Sequence, residues 1–267
     1  MKITRLAGLL GMALLVGCAT TSKALRAAET GPYYRVFRGV QRQDIPIAEF
    51  RRKLVSEFIP ALPALQEKLG ARVYIPALTP DNKPAGLADE FAMVEYDSES
   101  AYRAARETPV GKQYGDRHWT VFDSTRTKTG GAVAFAGTVE AETPYDVLGK
   151  KTDWQSGYVT FYVGLRKAGV SEVDFLKGMA KHVADVKAVL EPQGLDAYVM
   201  VANGQYEAAW QRWPSQEAAQ KAFASPAFQA LIPEGSSLLE NLQFSEAARF
   251  VGTLAPGQAV NVPIGTR

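Results

Sequence analysis

Two stretches of the chain carry apolar residues at the spacing of an amphipathic helix. In the first, the apolar positions are Ile47, Phe50, Leu54, Phe58, Leu62, Leu65 and Leu69. In the second, they are Leu176, Met179, Val183, Val186 and Leu190. Because residues three and four positions apart share one helix face, the pattern predicts two core-facing helices. Pro60 and Pro63 should kink or break the first helix, since proline removes a backbone donor.

Strand-like runs surround each helix in the same order, and matched residues recur at a nearly constant distance. The matched pairs include Gly39 with Gly164 at 125 residues, Tyr74 with Tyr198 at 124, and Glu90 with Glu207 at 117. The larger offset change falls in the turn-rich stretch 79–84, where a hairpin can vary in length. The pattern predicts two copies of a β-α-β-β-α-β unit.

The second helix of each copy carries two start signals. Ser98 and Ser215 are placed to cap it, and Thr108-Pro109 and Ser225-Pro226 each indicate an N-cap followed by proline. Both second helices are therefore predicted to consist of two pieces.

This arrangement resembles the dimeric α+β barrel superfamily, which includes antibiotic-biosynthesis monooxygenases, EthD-like and NIPSNAP-like proteins, and the haem-binding chlorite dismutase group. The best local marker is the segment 225–231, Ser-Pro-Ala-Phe-Gln-Ala-Leu. The resemblance implies an α+β fold in which two tandem ferredoxin-like units pair as an intramolecular barrel. A tandem chain supplies both units, so we expect a monomer, with a homodimer left open.

The N-terminus has the pattern of an export signal. Lys2 and Arg5 precede an apolar run, 6–16, that is too short for a stable transmembrane helix. The run ends in Leu-Val-Gly-Cys, which resembles the lipobox of bacterial lipoproteins and implies lipidation of Cys18. Ala19 follows, which by resemblance favours the outer membrane, facing the periplasm, in a Gram-negative cell. A secreted protein with a chance cysteine is the alternative.

The predicted organisation therefore has six segments. They are a signal peptide (1–17), the lipidated Cys18 and tether (18–32), the first unit (33–137), a linker (138–157), the second unit (158–252) and a C-terminal tail (253–267).

Charge and cysteine usage narrow the function. Removal of residues 1–17 leaves 28 basic and 28 acidic residues, a balance that argues against nucleic-acid binding. Cys18 is the only cysteine, so the mature fold has neither an intramolecular disulfide nor a thiolate metal site. The expected partners are a membrane, through the lipid anchor, and a small apolar ligand. We predict no cofactor.

Two histidines are the candidates for site chemistry. His118 follows the broken helix of the first copy and could act as an acid or base, tuned by Asp116 or Arg117. His182 lies at the margin of the second apolar stripe. Some haem proteins of the superfamily hold iron through such a helical histidine, but its solvated margin and Lys181 beside it lead us to predict no metal and no haem.

Six aromatic residues are candidates to line a ligand cavity, although strand aromatics often belong to the core. They are Tyr34, Tyr74, Trp119, Tyr162, Tyr198 and Trp210. Three functions stay open: a membrane-anchored module that binds a small apolar or aromatic molecule, a cofactor-independent oxygenase or isomerase that uses the barrel cavity, and a structural or partner-binding envelope protein. The sparse catalytic inventory favours the first.

Overall fold

The structure is a computed structural model that describes residues 31–80, 83–249 and 259–263. The predicted signal segment 1–17 and the lipidation residue Cys18 lie outside these ranges. Among the helices in these ranges, none combines the length and the apolar character needed to cross a membrane.

The first unit is an antiparallel sheet with helices on one face. Its strands β1 to β4 lie in the spatial order β4-β1-β3-β2 and span Tyr33–Gly39, Ala71–Leu78, Glu90–Tyr96 and Lys128–Gly131. Its helices α1 to α4 span Ile47–Lys53, Ile59–Lys68, Glu99–Arg106 and Pro109–His118. Ser98 and Thr108 cap α3 and α4 through their side-chain oxygens, so this second helix is in two pieces, as predicted.

A π-helical turn joins α1 to α2 where a break was expected. The turn spans Leu54–Phe58, and Pro60 and Pro63 both lie in α2, so the chain stays helical through them and the break does not occur. A π turn adds one residue to a helix. This extra residue explains why the distance between matched residues falls from 125 to 124, and it aligns Phe58 with His182.

Two short strands follow β4: β5 (Val133–Ala134) at the end of the first unit, and β6 (Pro144–Asp146) in the predicted linker 138–157. Trp154 in the same segment is fully buried, and its Nε1 donates to the Tyr34 hydroxyl at 3.2 Å. Part of the predicted linker therefore packs as an integral piece of the fold.

The second unit repeats the plan of the first. Strands β7 to β10 span Tyr158–Arg166, Ala197–Ala202, Tyr206–Trp213 and Leu239–Arg249, in the spatial order β10-β7-β9-β8. Helices α5 to α8 span Glu172–Leu190, Gln216–Phe223, Pro226–Gln229 and Ile232–Leu238. Ser215 and Ser225 cap α6 and α7, which confirms the second broken helix.

The two sheets join at both edges into a barrel. Strand β11 (Ala259–Pro263), within the segment 253–267 that was assigned no element, pairs with β2 on one side and β10 on the other. At the opposite edge β6 pairs with β8 and β5, and β5 continues directly from β4. This topology confirms the predicted pair of tandem ferredoxin-like units.

Buried side chains from both units fill the space between the sheets. They include Val36, Ile75, Phe91, Met93, Phe161, Val199 and Trp210. Alternate residues of the same strands point outwards, beneath the helices, and form one further core in each unit. The helix-covered faces, rather than the barrel interior, are therefore where the pockets described next lie.

Candidate functional site

Each unit holds a pocket between its sheet and its helices. The second-unit pocket encloses about 90 Å³ and the first-unit pocket about 100 Å³. For scale, an apolar cavity of about 150 Å³ can bind benzene. Both pockets are smaller than this but partly open to solvent, so each suits part of a ring-containing molecule whose remainder extends outside. Both lie outside the barrel interior that the sequence suggested as a cavity.

The walls of the second-unit pocket are mostly apolar. Its residues come from β7, β9, β10 and all four helices of the unit. The apolar ones are Val186, Phe223, Phe228, Leu231, Ile232 and Leu239. Tyr162, His182 and Gln211 add polar groups. An apolar pocket with a few convergent polar groups is the usual form of a small-molecule site.

Behind this polar end lies a fully buried carboxyl group, that of Glu207 on β9. Its Oε1 accepts hydrogen bonds from the hydroxyls of Tyr162, at 2.9 Å, and Tyr198, at 3.0 Å. The two hydroxyls lie 3.1 Å apart. The other carboxyl oxygen, Oε2, accepts no hydrogen bond from the described residues. Glu207 is thus buried with half of its hydrogen-bonding capacity unused.

Burial raises the pKa of Glu207 above its usual value, because a charge is poorly solvated in the interior. The charge of His182 lowers this pKa in turn, followed by the two tyrosine hydroxyls. The positive charge of His182 therefore favours the charged form of Glu207.

His182 lies on α5 at the edge of its apolar stripe, and its ring is partly buried. The side chain of Ser171 caps this helix and fixes where it begins. The start of the helix in turn sets which of its residues, including His182, face the pocket. A Cβ added at Gly235 of α8 would lie 3.2 Å from the His182 Cε1, so glycine leaves room for the ring. The ring makes no hydrogen bond with the described residues and is available to a ligand.

His118 lines the first-unit pocket, and its surroundings differ from those of His182. Its ring is buried among aromatic side chains, with centroids 4.6 Å from Tyr114, 4.9 Å from Phe37 and 5.2 Å from Phe58. Nδ1 lies 2.7 Å from the carbonyl oxygen of Tyr114 and donates to it, since a carbonyl can only accept.

Burial lowers the pKa of His118 to about 4; the hydrogen bond to Tyr114 opposes this shift and the charge of Arg106 adds to it. His118 is thus uncharged at neutral pH and a weak base. Its pKa is thus shifted by burial, by Tyr114 and by Arg106. The sequence analysis had instead suggested Asp116 or Arg117 as the residues that tune it.

In each unit a histidine lies at the contact between the first and the last helix. In the first unit Phe58 on the first helix touches His118 on the last helix. In the second unit the aligned residues are His182 and Gly235, which also face each other. The two units therefore each place one imidazole in this contact, but they supply it from different helices.

The six aromatic candidates do not line one space. Tyr34 and Trp210 are in the barrel interior, and Trp119 is exposed at the edge of the first-unit pocket. Tyr162 lines the second-unit pocket, and Tyr198 lies behind it with Glu207. Tyr74 takes the matching position in the first unit, where its hydroxyl donates to Glu90 at 2.9 Å.

Glu90 and Glu207 are the site residues that sequence reasoning missed. Both were matched as repeat markers, yet neither was considered for chemistry. A glutamate conserved between two copies of the chain, in a run of apolar strand residues, was the available signal. Glu90 is also buried, and burial raises its pKa to about 8.

Metal chemistry finds little support in the described part of the chain, where no three histidine, cysteine or acidic residues come together as a metal site. The pocket beside His182, at about 90 Å³, is smaller than a benzene cavity and so much smaller than a porphyrin requires. The expectation of no haem stays a prediction for spectroscopy.

No family model and no curated protein matches this chain. Similar solved structures include proposed monooxygenases from Lactobacillus acidophilus (12% identity, 87% of this chain and 99% of that chain, TM-score 0.40) and Fusobacterium nucleatum (8% identity, 80% and 90%, TM-score 0.45). An anthrone oxidase-like protein is another (13% identity, 82% and 90%, TM-score 0.37). At these identities and TM-scores the likenesses carry no argument about function, and the fold assignment rests on the strand order above.

Proposed function

We propose that this protein is an enzyme that binds a small, ring-containing apolar molecule in the second-unit pocket and removes a proton from it. The observation that carries the proposal is a histidine at the polar end of an apolar pocket, with a fully buried carboxyl behind that end that is hydrogen-bonded to Tyr162 of the pocket wall. A pocket that only binds apolar ligands has no need of a buried glutamate that is coupled to a histidine.

Each polar residue has a role in the proposed reaction. His182 accepts the proton from an acidic C–H or O–H of the ligand, and Glu207 stabilises the imidazolium that forms. Tyr162 and Tyr198 hold Glu207 in place through their hydroxyls. Gln211 lines the same wall, and its amide can donate to the oxygen on which the ligand's negative charge collects.

Two completions of the reaction are open, and both begin with this step. Return of the proton to a different carbon is an isomerisation. Reaction of the carbanion with dioxygen, which is then a second substrate and the oxidant, is an oxygenation. In neither case does the first-unit pocket supply the base, because His118 has a pKa of about 4.

Hydrogen–deuterium exchange tests the proton-transfer step without knowledge of the natural substrate. The probes are ring ketones of increasing size, from cyclopentanone to 2-indanone, incubated with the protein in deuterium oxide and followed by proton NMR. We expect wild type to accelerate exchange by about 100-fold or more over buffer, the usual scale of general base catalysis. Glu207→Gln should lower this rate about tenfold, because it removes the charge that stabilises the imidazolium.

The same titrations separate enzyme from binding module. Saturable binding of a ring ketone without faster exchange would assign the pocket to ligand binding alone. If no member of the series either binds or exchanges, a structural or partner-binding function replaces the proposal.

We also propose that the protein is anchored to the cell envelope through a lipid on Cys18, as the lipobox-like segment suggests. The Cys18→Ser variant should then be exported but no longer partition with membranes in detergent phase separation. A variant that still enters the detergent phase would contradict the lipid anchor.

A further inference from the structure

The first-unit pocket carries two arginines that lack acidic partners. Arg35 on β1 and Arg106 on α3 both line it, and neither forms an ion pair with a described carboxylate. Elsewhere arginines do pair: on the same helix as Arg106, Arg103 binds Glu99. No acidic residue is among the described residues that line the pocket. The described residues that line the pocket therefore carry two positive charges and no negative charge.

Neutral oxygens hold the two guanidinium groups in place. Arg106 Nη1 donates to the carbonyl of Gly111 at 2.8 Å, and Arg35 Nη2 donates to the Thr129 hydroxyl at 2.8 Å. A guanidinium has five N–H donors, so each arginine has donors left for a ligand. A Cβ at Gly115 would lie 2.8 Å from Arg106 Nη2, so glycine at this position leaves space for the guanidinium.

Aromatic side chains form the rest of the pocket. The Arg35 guanidinium lies 4.9 Å above the ring of Tyr102, and Arg106 lies 5.8 Å from the ring of Tyr114. Trp119 stands exposed at the rim, and the uncharged His118 ring adds a flat wall. Flat walls around about 100 Å³ select a planar ring, and two guanidinium groups select a carboxylate.

We propose that the first-unit pocket binds an aromatic carboxylate, with the ring between Tyr102, Tyr114 and Trp119 and the carboxylate on Arg35 and Arg106. This site is separate from the second-unit pocket, which has a buried acid behind its polar end, whereas this one is lined by two cations. The chain thus has two ligand sites of opposite character.

The test is ¹⁹F NMR of 4-fluorobenzoate titrated with the full chain, compared with the uncharged 4-fluorobenzamide. We expect saturable binding of the benzoate and at least tenfold weaker binding of the amide, since only the benzoate offers a charge to the arginines. Equal binding of the two probes, or no saturable binding, would overturn the proposal. This comparison uses wild-type protein and does not depend on any variant.

Variants then locate the site. Arg35→Gln and Arg106→Gln should each weaken benzoate binding at least fivefold, whereas Arg103→Gln, on the exposed side of the same helix, should change it less than twofold. Circular dichroism checks that each variant is folded. His182→Gln should leave the affinity unchanged; if it abolishes binding, the benzoate occupies the second-unit pocket and this proposal is wrong. Displacement of the benzoate by equimolar inorganic phosphate would also overturn it, because the site would then select an anion without a ring.

Discussion

The two units share one backbone plan and differ in the polar groups beneath their helices. In the second unit a partly buried histidine is coupled to a buried glutamate at the end of an apolar pocket. In the first unit the matching Glu90 is hydrogen-bonded to Tyr74, and the charge of Arg51 lowers its pKa. The histidine of this unit is surrounded by aromatic rings. The two units thus share the backbone fold and the buried glutamate, and they differ in the side chains around that glutamate and around the histidine.

The shared core between the sheets gives the largest expected effect. Phe161 is buried between Phe91 of the other unit and Trp210. Its ring centroid lies 5.8 Å from that of Phe91 and 4.8 Å from that of Trp210. Phe161→Ala should lower the free energy of unfolding by about 3–5 kcal/mol, because it leaves a cavity at this joint. Urea unfolding, followed by tryptophan fluorescence and circular dichroism, measures the change.

Val173→Ala is the control, since this side chain is 75% exposed and should change stability by less than about 0.5 kcal/mol. If the units are independent, Phe161→Ala should unfold one half before the other in two transitions. A single transition is the outcome expected of a joint core.

Glu90 should make the first unit less stable as the pH rises. Its pKa is about 8 in the folded protein and near 4.5 when unfolded, so the folded state holds the extra proton between these values. Stability from this group is complete below pH 4.5 and is lost as the pH rises toward 8. Glu90→Gln should remove about 2–4 kcal/mol of this decline between pH 5 and 8.

Denaturant unfolding at half-unit pH intervals tests this expectation, with the exposed Glu140→Gln as control. Some decline should remain in Glu90→Gln, because burial also raises the pKa of Glu95 to about 7. An unchanged pH dependence in Glu90→Gln would mean that Glu90 is ionised in the fold.

His118 should make the protein less stable as the pH falls, the opposite of the effect of Glu90. Its folded pKa of about 4 lies below the usual 6.5, so the unfolded state binds the extra proton between these values. Stability from this group is present above pH 6.5 and is lost as the pH falls toward 4. His118→Phe should remove about 2 kcal/mol of that loss, measured by thermal unfolding between pH 4 and 7. If the acid limb is the same in the variant, the imidazole is already protonated in the folded state.

Gly235→Ala should have the smallest effect on stability and a local effect on the site. The new Cβ would lie 3.2 Å from His182, closer than ordinary contact, so the imidazole must shift by a few tenths of an ångström. The gain in helix propensity offsets this strain, and we expect a stability change within about 1 kcal/mol. The His182 Cε1–H resonance should move, with Ser237→Ala as control; an unmoved resonance would show that Gly235 does not set the ring position.

Most of the fold could be predicted from the chain, because an element found in one copy supports the same element in the other. The one-residue change in offset between Gly39 and Tyr74 spans the π turn, although the sequence analysis did not predict a π turn. Strand β11 was missed because Ala259–Pro263 is short and carries no clear alternation, and its partners β2 and β10 come together only in the folded barrel.

The site was less predictable, because residue type alone does not tell which face of a strand a side chain occupies. Tyr162 and Trp210 looked equivalent as aromatic strand residues, yet one points beneath the helices and the other into the barrel. Glu207 was overlooked since a lone acidic residue in a strand usually faces water. Its burial follows from the packing of α5 over the face of the sheet that β9 shares with Ala209 and Trp213.

The most direct test of the assigned chemistry is the rate of deuterium exchange into a bound ring ketone in two matched variants, His182→Gln and His118→Gln. Each removes one imidazole from the pocket of one unit. Proton transfer in the second unit predicts that His182→Gln loses about 100-fold or more in rate, and that His118→Gln stays within about threefold of wild type. An equal loss in both variants, or a loss in His118→Gln alone, would contradict the assignment of the reaction to the second-unit pocket.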